Sequence, residues 1–289
     1  MNYKKINNVL IILIIMLSCL SGAYGIFSHN SINTGMIIST VHKESIELYG
    51  KGIYHNESLA MAMQARGQDI VTLLIAIPTL GISLFLQNRN SVKGRFLVTG
   101  SLGYFLYTYA SYCFVAMYNS LFLVYIAIFS LSFFAFTLNF SSFHSEEIIY
   151  LFRDLKFRKM IGVSIILFSL LISLMWLGKI IPTTFSGVPS GLEHYTTLPI
   201  QAIDLAIIVP ITIIGGVLFI KQKNLGYLLT TVIIIKDVTM LLAIDAMIIV
   251  MIIGSFKTSI IEVIIFPLFT LFYIFNLYLL IKSIKEVTV

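Results

Sequence analysis

Apolar residues run through this chain in long unbroken blocks separated by short polar intervals. Eight such blocks stand out, at 9–27, 70–86, 96–118, 121–140, 161–181, 200–220, 227–253 and 260–281. A helix rising ~1.5 Å per residue needs about 20 apolar residues to cross a hydrocarbon core, which these blocks supply. A core helix of a soluble protein would keep a charged outer face, and the fourth, fifth and seventh blocks have none over their middle turns. Strands of a membrane barrel would alternate at every second residue, and the blocks do not. The pattern predicts an all-α fold: a polytopic integral membrane helical bundle of about eight transmembrane helices, one membrane domain over 1–289.

Composition strengthens this reading. The chain is 58% hydrophobic and 11% charged, with a mean hydropathy of +0.96, whereas soluble domains carry about a quarter charged residues. Thirteen of the nineteen Lys and Arg residues lie on one set of span ends, in clusters at 4–5, 89–95, 153–159, 221–223 and 282–285. The other ends hold Lys43, Lys51, Arg66, Lys179 and Lys257, and Lys236 sits inside a block. The positive-inside rule then places both termini in the cytoplasm, in a plasma or inner membrane. The net charge of +6 is the excess on those short loops, where anionic lipid meets it, and calls for no nucleic-acid partner. The basic run "RDLKFRK" after the fourth block reads as a short loop helix on that side. The first block, preceded by Lys4 and Lys5 and followed by "SCLSGAYG", also fits a secretory signal, whose removal would leave seven helices. Its length suits an anchor as well.

Between the first and second blocks lies the longest polar segment, 28–69, an external loop. Its Leu59, Met61 and Met63 are expected in an interfacial helix that feeds the second span, and a loop of this length suits a lid. Asn56-Glu57-Ser58 fits a glycosylation acceptor, a pattern frequent by chance. A second external loop, "PTTFSGVPSGLEHYTTLP", echoes the first. "GIYHNE…GQDIVTLLIAIP" and "GLEHYTTLPIQAIDLAIIVP" share Gly, His, Gln, Asp and a mid-span Pro in order, and "GSLGY" and "KNLGY" follow short basic turns. The echo sets Asp69 beside Asp204, although their distances to Pro78 and Pro210 differ. It suggests a 4+4 parallel pseudo-repeat with halves 1–140 and 161–289, an architecture used by some transporters.

The costly residues are the ionisable ones inside the spans. Each costs about 2.5–3.5 kcal/mol at mid-membrane unless it faces the bundle interior. Lys236, Asp237 and Asp245 share the seventh span. Neighbouring positions on a helix do not face each other, so the partner of Lys236 is expected from another helix. Polar stripes at helical spacing run through Asp69, Thr72, Ala76, Thr79 and Ser83, through Gln201, Asp204, Ile208, Thr212 and Gly215, through Tyr104, Thr108 and Ser111, and through Glu262, Phe266, Phe269, Tyr273 and Asn276. Such faces also serve simple helix packing. Pro78, Pro210 and Pro267 interrupt three spans, as prolines do at kinks beside cavities.

Converging stripes would form an acidic vestibule leading to a charged gate. The candidate path residues are Asp69, Asp204, Lys236, Asp237, Asp245, Glu262, Gln68, Gln201 and Tyr104. The reading they favour is a secondary transporter or permease moving a small solute or ion, coupled to protons or cations through intramembrane carboxylates. Its partners would be the lipid bilayer and that solute. One alternative is a membrane-embedded enzyme with an outer-face site of His55, Asp69, Glu193, His194 and Asp204. The chain has no HExxH or GxSxG to support it. Another is a receptor or pigment protein in which Lys236 forms a Schiff base. Cys19 and Cys113 fall inside apolar blocks and suit neither a disulfide nor a metal site. No cofactor and no metal are predicted.

Overall fold

The computed structural model describes residues 3–40, 42–143, 148–185, 187–189, 191–256 and 258–286; Lys257, counted above among the outer cations, lies outside them. The chain is 75% helical. Eight long helices make up the bundle: α1 (Tyr3–Phe27), α2 (Leu59–Asn88), α3 (Val92–Phe114), α4 (Phe122–Ser141), α5 (Arg158–Ile180), α6 (Pro199–Ile220), α7 (Asn224–Ile253) and α8 (Ile260–Ser283). All but α3 and α7 are long and apolar enough to cross a membrane, six helices in all, which makes this a multi-pass membrane protein. The other two are the central pair, each with more than half of its residues buried.

Lipid accounts for the distribution of side chains. Leu74, Leu123, Leu174 and Ile253 are 66–78% exposed on the outside of the bundle, whereas Asp69 and Asn276 are 1% and 0% exposed inside it. With no water at the periphery, hydrogen-bonding groups turn inward and hold helix to helix. Asn139 of α4 donates to Asn7 of α1 at 2.6 Å, and Asn276 of α8 donates to Ser164 of α5 at 3.1 Å. Small residues set the closest approaches. Gly100 of α3 abuts Ile235 of α7, and Gly67 of α2 abuts the backbone at Met247 of α7. A side chain at either position would collide with its neighbour.

Both chain ends lie at the same end of the bundle. Lys4 of α1 donates to the carbonyl of Asn88, at the end of α2. The Glu286 carboxylate accepts from Ser91 Oγ at 2.8 Å and Val92 N at 2.9 Å, completing the cap of α3. A negative group there satisfies amide donors that the helix itself leaves unpaired. The run at 153–159 forms no separate loop helix. Residues 153–157 are irregular, and Arg158 already begins α5. Arg153 N donates to Ser283 O, and Lys285 N to Leu151 O, so the segment is tied to the chain's end and not left free to coil.

At the opposite end, Ile37–Ser39 and Ser45–Glu47 pair as a small antiparallel hairpin. Among the described residues, no separate helix of more than three residues stands between the hairpin and α2. Residues from Leu59 onward are the first turns of α2 itself, with Ala62, Met63 and Gly67 buried, because Gly67 lets this end pack on α7.

The same local geometry occurs twice. α2 and α6 each widen into a five-residue π turn, Thr72–Ala76 and Asp204–Ile208, directly before Pro78 and Pro210. Proline has no N–H and its ring crowds the carbonyl four residues back, so a wider turn relieves the clash. Both prolines point outward. Each helix ends in a tight turn with a left-handed residue, Asn90 (φ 63°) and Gln222 (φ 57°). Gly94 and Gly226 then pack on the ends of α2 and α6. Thr99 bonds back to Arg95 O at 2.8 Å and Thr231 to Tyr227 O at 2.7 Å. One constant spacing relates every one of these pairs.

Candidate functional site

A cavity of about 990 Å³ opens between α2 and α3 on one side and α5–α8 on the other. Glu57, Gly191, Ser259 and Glu262 stand at its mouth, and Asp204, Thr212, Lys236 and Asp237 line its depth. Lys236 lies about 18 Å along α7 from its start at ~1.5 Å per residue, near the middle of the helix. Most of the wall is apolar. It includes Met61, Met175, Met240, Met247 and Met251, together with Phe168, Trp176 and Phe266.

Asp204 is the pivot of this site. It begins the π turn of α6, and its oxygens accept from Tyr107 OH of α3 at 2.8 Å and from Trp176 Nε1 of α5 at 2.9 Å. Both donors are neutral. Lys236 pairs instead with Asp237, Nζ to Oδ1 at 2.7 Å. This corrects the expectation of a partner on another helix. The two Cα–Cβ directions diverge, but the four-carbon stem of lysine bends back far enough to close the gap. The ammonium also sits 4.9 Å from the centroid of the Tyr107 ring, within cation–π range. Gly103 of α3 leaves room for the lysine stem, whose Cβ and Cγ lie 3.6 Å from where a side chain would begin. Among the described residues, Lys236–Asp237 is the sole ion pair between side chains.

The other path residues divide between separate places. Asp69 is in a sealed cluster, accepting from Tyr54 OH at 2.6 Å and Tyr112 OH at 2.9 Å. Tyr104 belongs to the same block: Gln68 Nε2 reaches it at 2.6 Å and Thr72 Oγ1 at 2.9 Å. Gln68 also meets Thr108 at 3.0 Å and touches the cavity wall, so it bounds both regions. Asp245 faces α8, where Thr270 Oγ1 donates to it at 2.6 Å. Glu262 is exposed at the mouth and Gln201 is half-buried outside the lining. Pro267, like the other two span prolines, faces outward. The structure therefore brings together Asp204, Lys236 and Asp237, with Gln68 beside them, and keeps Asp69, Tyr104, Asp245 and Gln201 apart.

Three groups that periodicity did not single out complete the site. Tyr107 is on α3 beside the Tyr104–Thr108 stripe, and Trp176 is the chain's single tryptophan. A lone indole N–H in an apolar span needs a buried acceptor, which is the signal that could have found it. Glu57 is the third, at the mouth. Its Oε2 accepts from Tyr195 OH at 2.5 Å and its Oε1 from Met117 N at 2.7 Å, joining the second external loop to the end of α3. His194 Nε2 and Asn56 O, 3.1 Å apart, and His42 Nε2 and Tyr195 O, 3.2 Å apart, add to this seam. Burial pushes the Glu57 carboxyl up to about 7, against the Tyr195 and Met117 bonds that act the other way. Burial also holds the His194 imidazole below its usual value and, with Glu57 beside it, raises the Tyr195 phenol.

The proposed enzyme set does not assemble. His55 Nδ1 lies 2.9 Å from Gly52 O and His194 contacts backbone, while Asp69 and Asp204 belong to different clusters. Among the described residues no three His, Cys, Asp or Glu side chains converge in a metal-binding group. Comparison with known families, curated proteins and solved structures finds no match to this chain.

Proposed function

We propose that the chain is a secondary transporter or permease with eight spans, both termini cytoplasmic, in a plasma or inner membrane. Its two four-helix halves form a parallel pseudo-repeat, supported by the constant spacing of the π turns, prolines, left-handed turns and packing glycines. The solute enters the cavity from the outer mouth, and the Asp204 carboxylate couples its movement to a proton or cation. The observation that carries this reading is the position of Asp204. It begins the π turn of α6, between one and two turns in from the start of that helix, facing a cavity of about 990 Å³, hydrogen-bonded to neutral donors only. A carboxylate so placed is neutralised by a proton or by a cation, and exchange between the two is the elementary step of coupled transport.

Proteoliposomes enclosing a pH-sensitive dye test it. Imposed Na⁺ and K⁺ gradients, and panels of small amines and acids, are screened for solute-dependent proton movement. Movement is expected with the native chain and abolished by Asp204→Asn at unchanged expression. Solute-driven flux that persists in Asp204→Asn removes this carboxylate from the coupling mechanism.

A further inference from the structure

We infer that the cavity is a binding site for lipophilic organic cations, a substrate class that rests on the transport reading. Three independent features point there. The first is charge. Among the described residues around the cavity, Glu57, Asp204, Asp237 and Glu262 face two cations, Lys179 at the mouth and Lys236, so carboxyl groups outnumber ammonium groups there. At the floor Lys236 is already neutralised by Asp237 at 2.7 Å, which leaves Asp204 to attract a positive ligand.

The second is the wall. Ordinary ligand sites hold drug-sized molecules in about 300–1,000 Å³, and this cavity has about 990 Å³. Five of the eleven methionines line it. Unbranched, polarizable thioethers re-pack around apolar bodies of differing shape, the means by which promiscuous surfaces adapt. A small hydrated ion would gain nothing from such a wall.

The third is the aromatic surround of the carboxylate. Tyr107 and Trp176 hold Asp204 from two sides, and their ring faces are the cation-attracting parts of the side chains. Tyr107 already receives the Lys236 ammonium on its ring, which shows that this corner tolerates positive charge. An apolar cation docked here meets a carboxylate flanked by aromatic side chains, while its body replaces water against the methionines.

The chain carries its own reporter. Trp176, the sole tryptophan, donates to Asp204 at 2.9 Å, so its fluorescence registers occupancy of the site. The purified full chain in detergent is titrated with tetraphenylphosphonium and with tetraphenylborate, ions of the same shape and opposite charge. Saturable change with the phosphonium is expected, with the borate at least about tenfold weaker, a gap of about 1.4 kcal/mol. Asp204→Asn is expected to weaken the phosphonium by about tenfold or more, and Asp204→Glu to restore most of the affinity. Equal or tighter binding of the borate overturns the inference. So does the absence of any saturable signal, or phosphonium affinity unchanged in Asp204→Asn. The comparison of the two ions needs no variant and stands if a substitution unfolds the protein. Phosphonium binding without coupled flux in proteoliposomes overturns the transport reading alone; Asp204-dependent flux without cation preference overturns this inference alone.

Discussion

The stretches around Pro78 and Pro210 share local geometry but carry different chemistry. Pro78 corresponds to Pro210 and Val92 to Asn224, and that spacing sets Thr72 opposite Asp204 and Tyr104 opposite Lys236. In the first half Thr72 and Tyr104 share a neutral hydrogen bond of 2.9 Å, sealed among tyrosines. In the second half the same two positions carry an acid and a base facing a cavity. Packing follows the same contrast. α2 presses on α7 at Gly67, where bulk is excluded, whereas α6 stands off from α3 and leaves the hollow. One region is consolidated as scaffold, and the other spends stability on a buried charged floor beneath the cavity.

The comparison can be broken by substitution, and the largest effect is expected at Lys236. Lys236→Met strands the Asp237 charge and should destabilise by about 3–5 kcal/mol, as removing one partner of a buried pair does. Adding Asp237→Asn should recover most of that loss. At the matching position Tyr104→Phe should cost about 1–2 kcal/mol, the range for unpaired buried polar groups. Equal costs at the two positions, read from melting of the detergent-solubilised protein, would erase the distinction. Next comes Gly67→Leu, which forces a side chain into the backbone at Met247 and should cost about 3 kcal/mol. Ser111→Leu, on the cavity wall, should change stability by less than about 1 kcal/mol while blocking the site. Thermal midpoints paired with Trp176 fluorescence separate the two outcomes.

A pH effect is expected at the mouth. The Glu57 carboxyl moves from 4.5 to about 7 on folding, so the folded chain holds this proton more tightly than the unfolded one. Its contribution is fully present below pH 4.5, falls as pH rises to about 7, and is flat beyond. Glu193, His194 and Tyr195 flank it, and Glu193 adds to the upward push. Melting followed from pH 4.5 to 8 should show stability declining up to about 7, a slope that Glu57→Gln removes. An unchanged slope in that variant would assign the effect elsewhere.

Much of the architecture was legible because lipid imposes it. Blocks of uninterrupted apolar sequence became helices, the second beginning well before its block at Leu59, and a π turn stands before each of Pro78 and Pro210. The side-chain correspondence was not legible. By residue type Asp69 seemed the partner of Asp204, yet the wide turns and shared spacing set Thr72 there. The Lys236–Asp237 pair escaped because angular position on a helix ignores the reach of a long flexible side chain. The cavity escaped as well. Its wall draws on six helices and four loops, and no periodicity within one helix specifies what the others leave empty.

Glu286 has a practical corollary. Because the last described residue grips the first turn of α3 through Ser91 and Val92, the carboxyl end of the chain behaves as a clasp on the central helix pair. A fluorescent protein or affinity handle fused near Glu286 would tug on the helix that presents Tyr107.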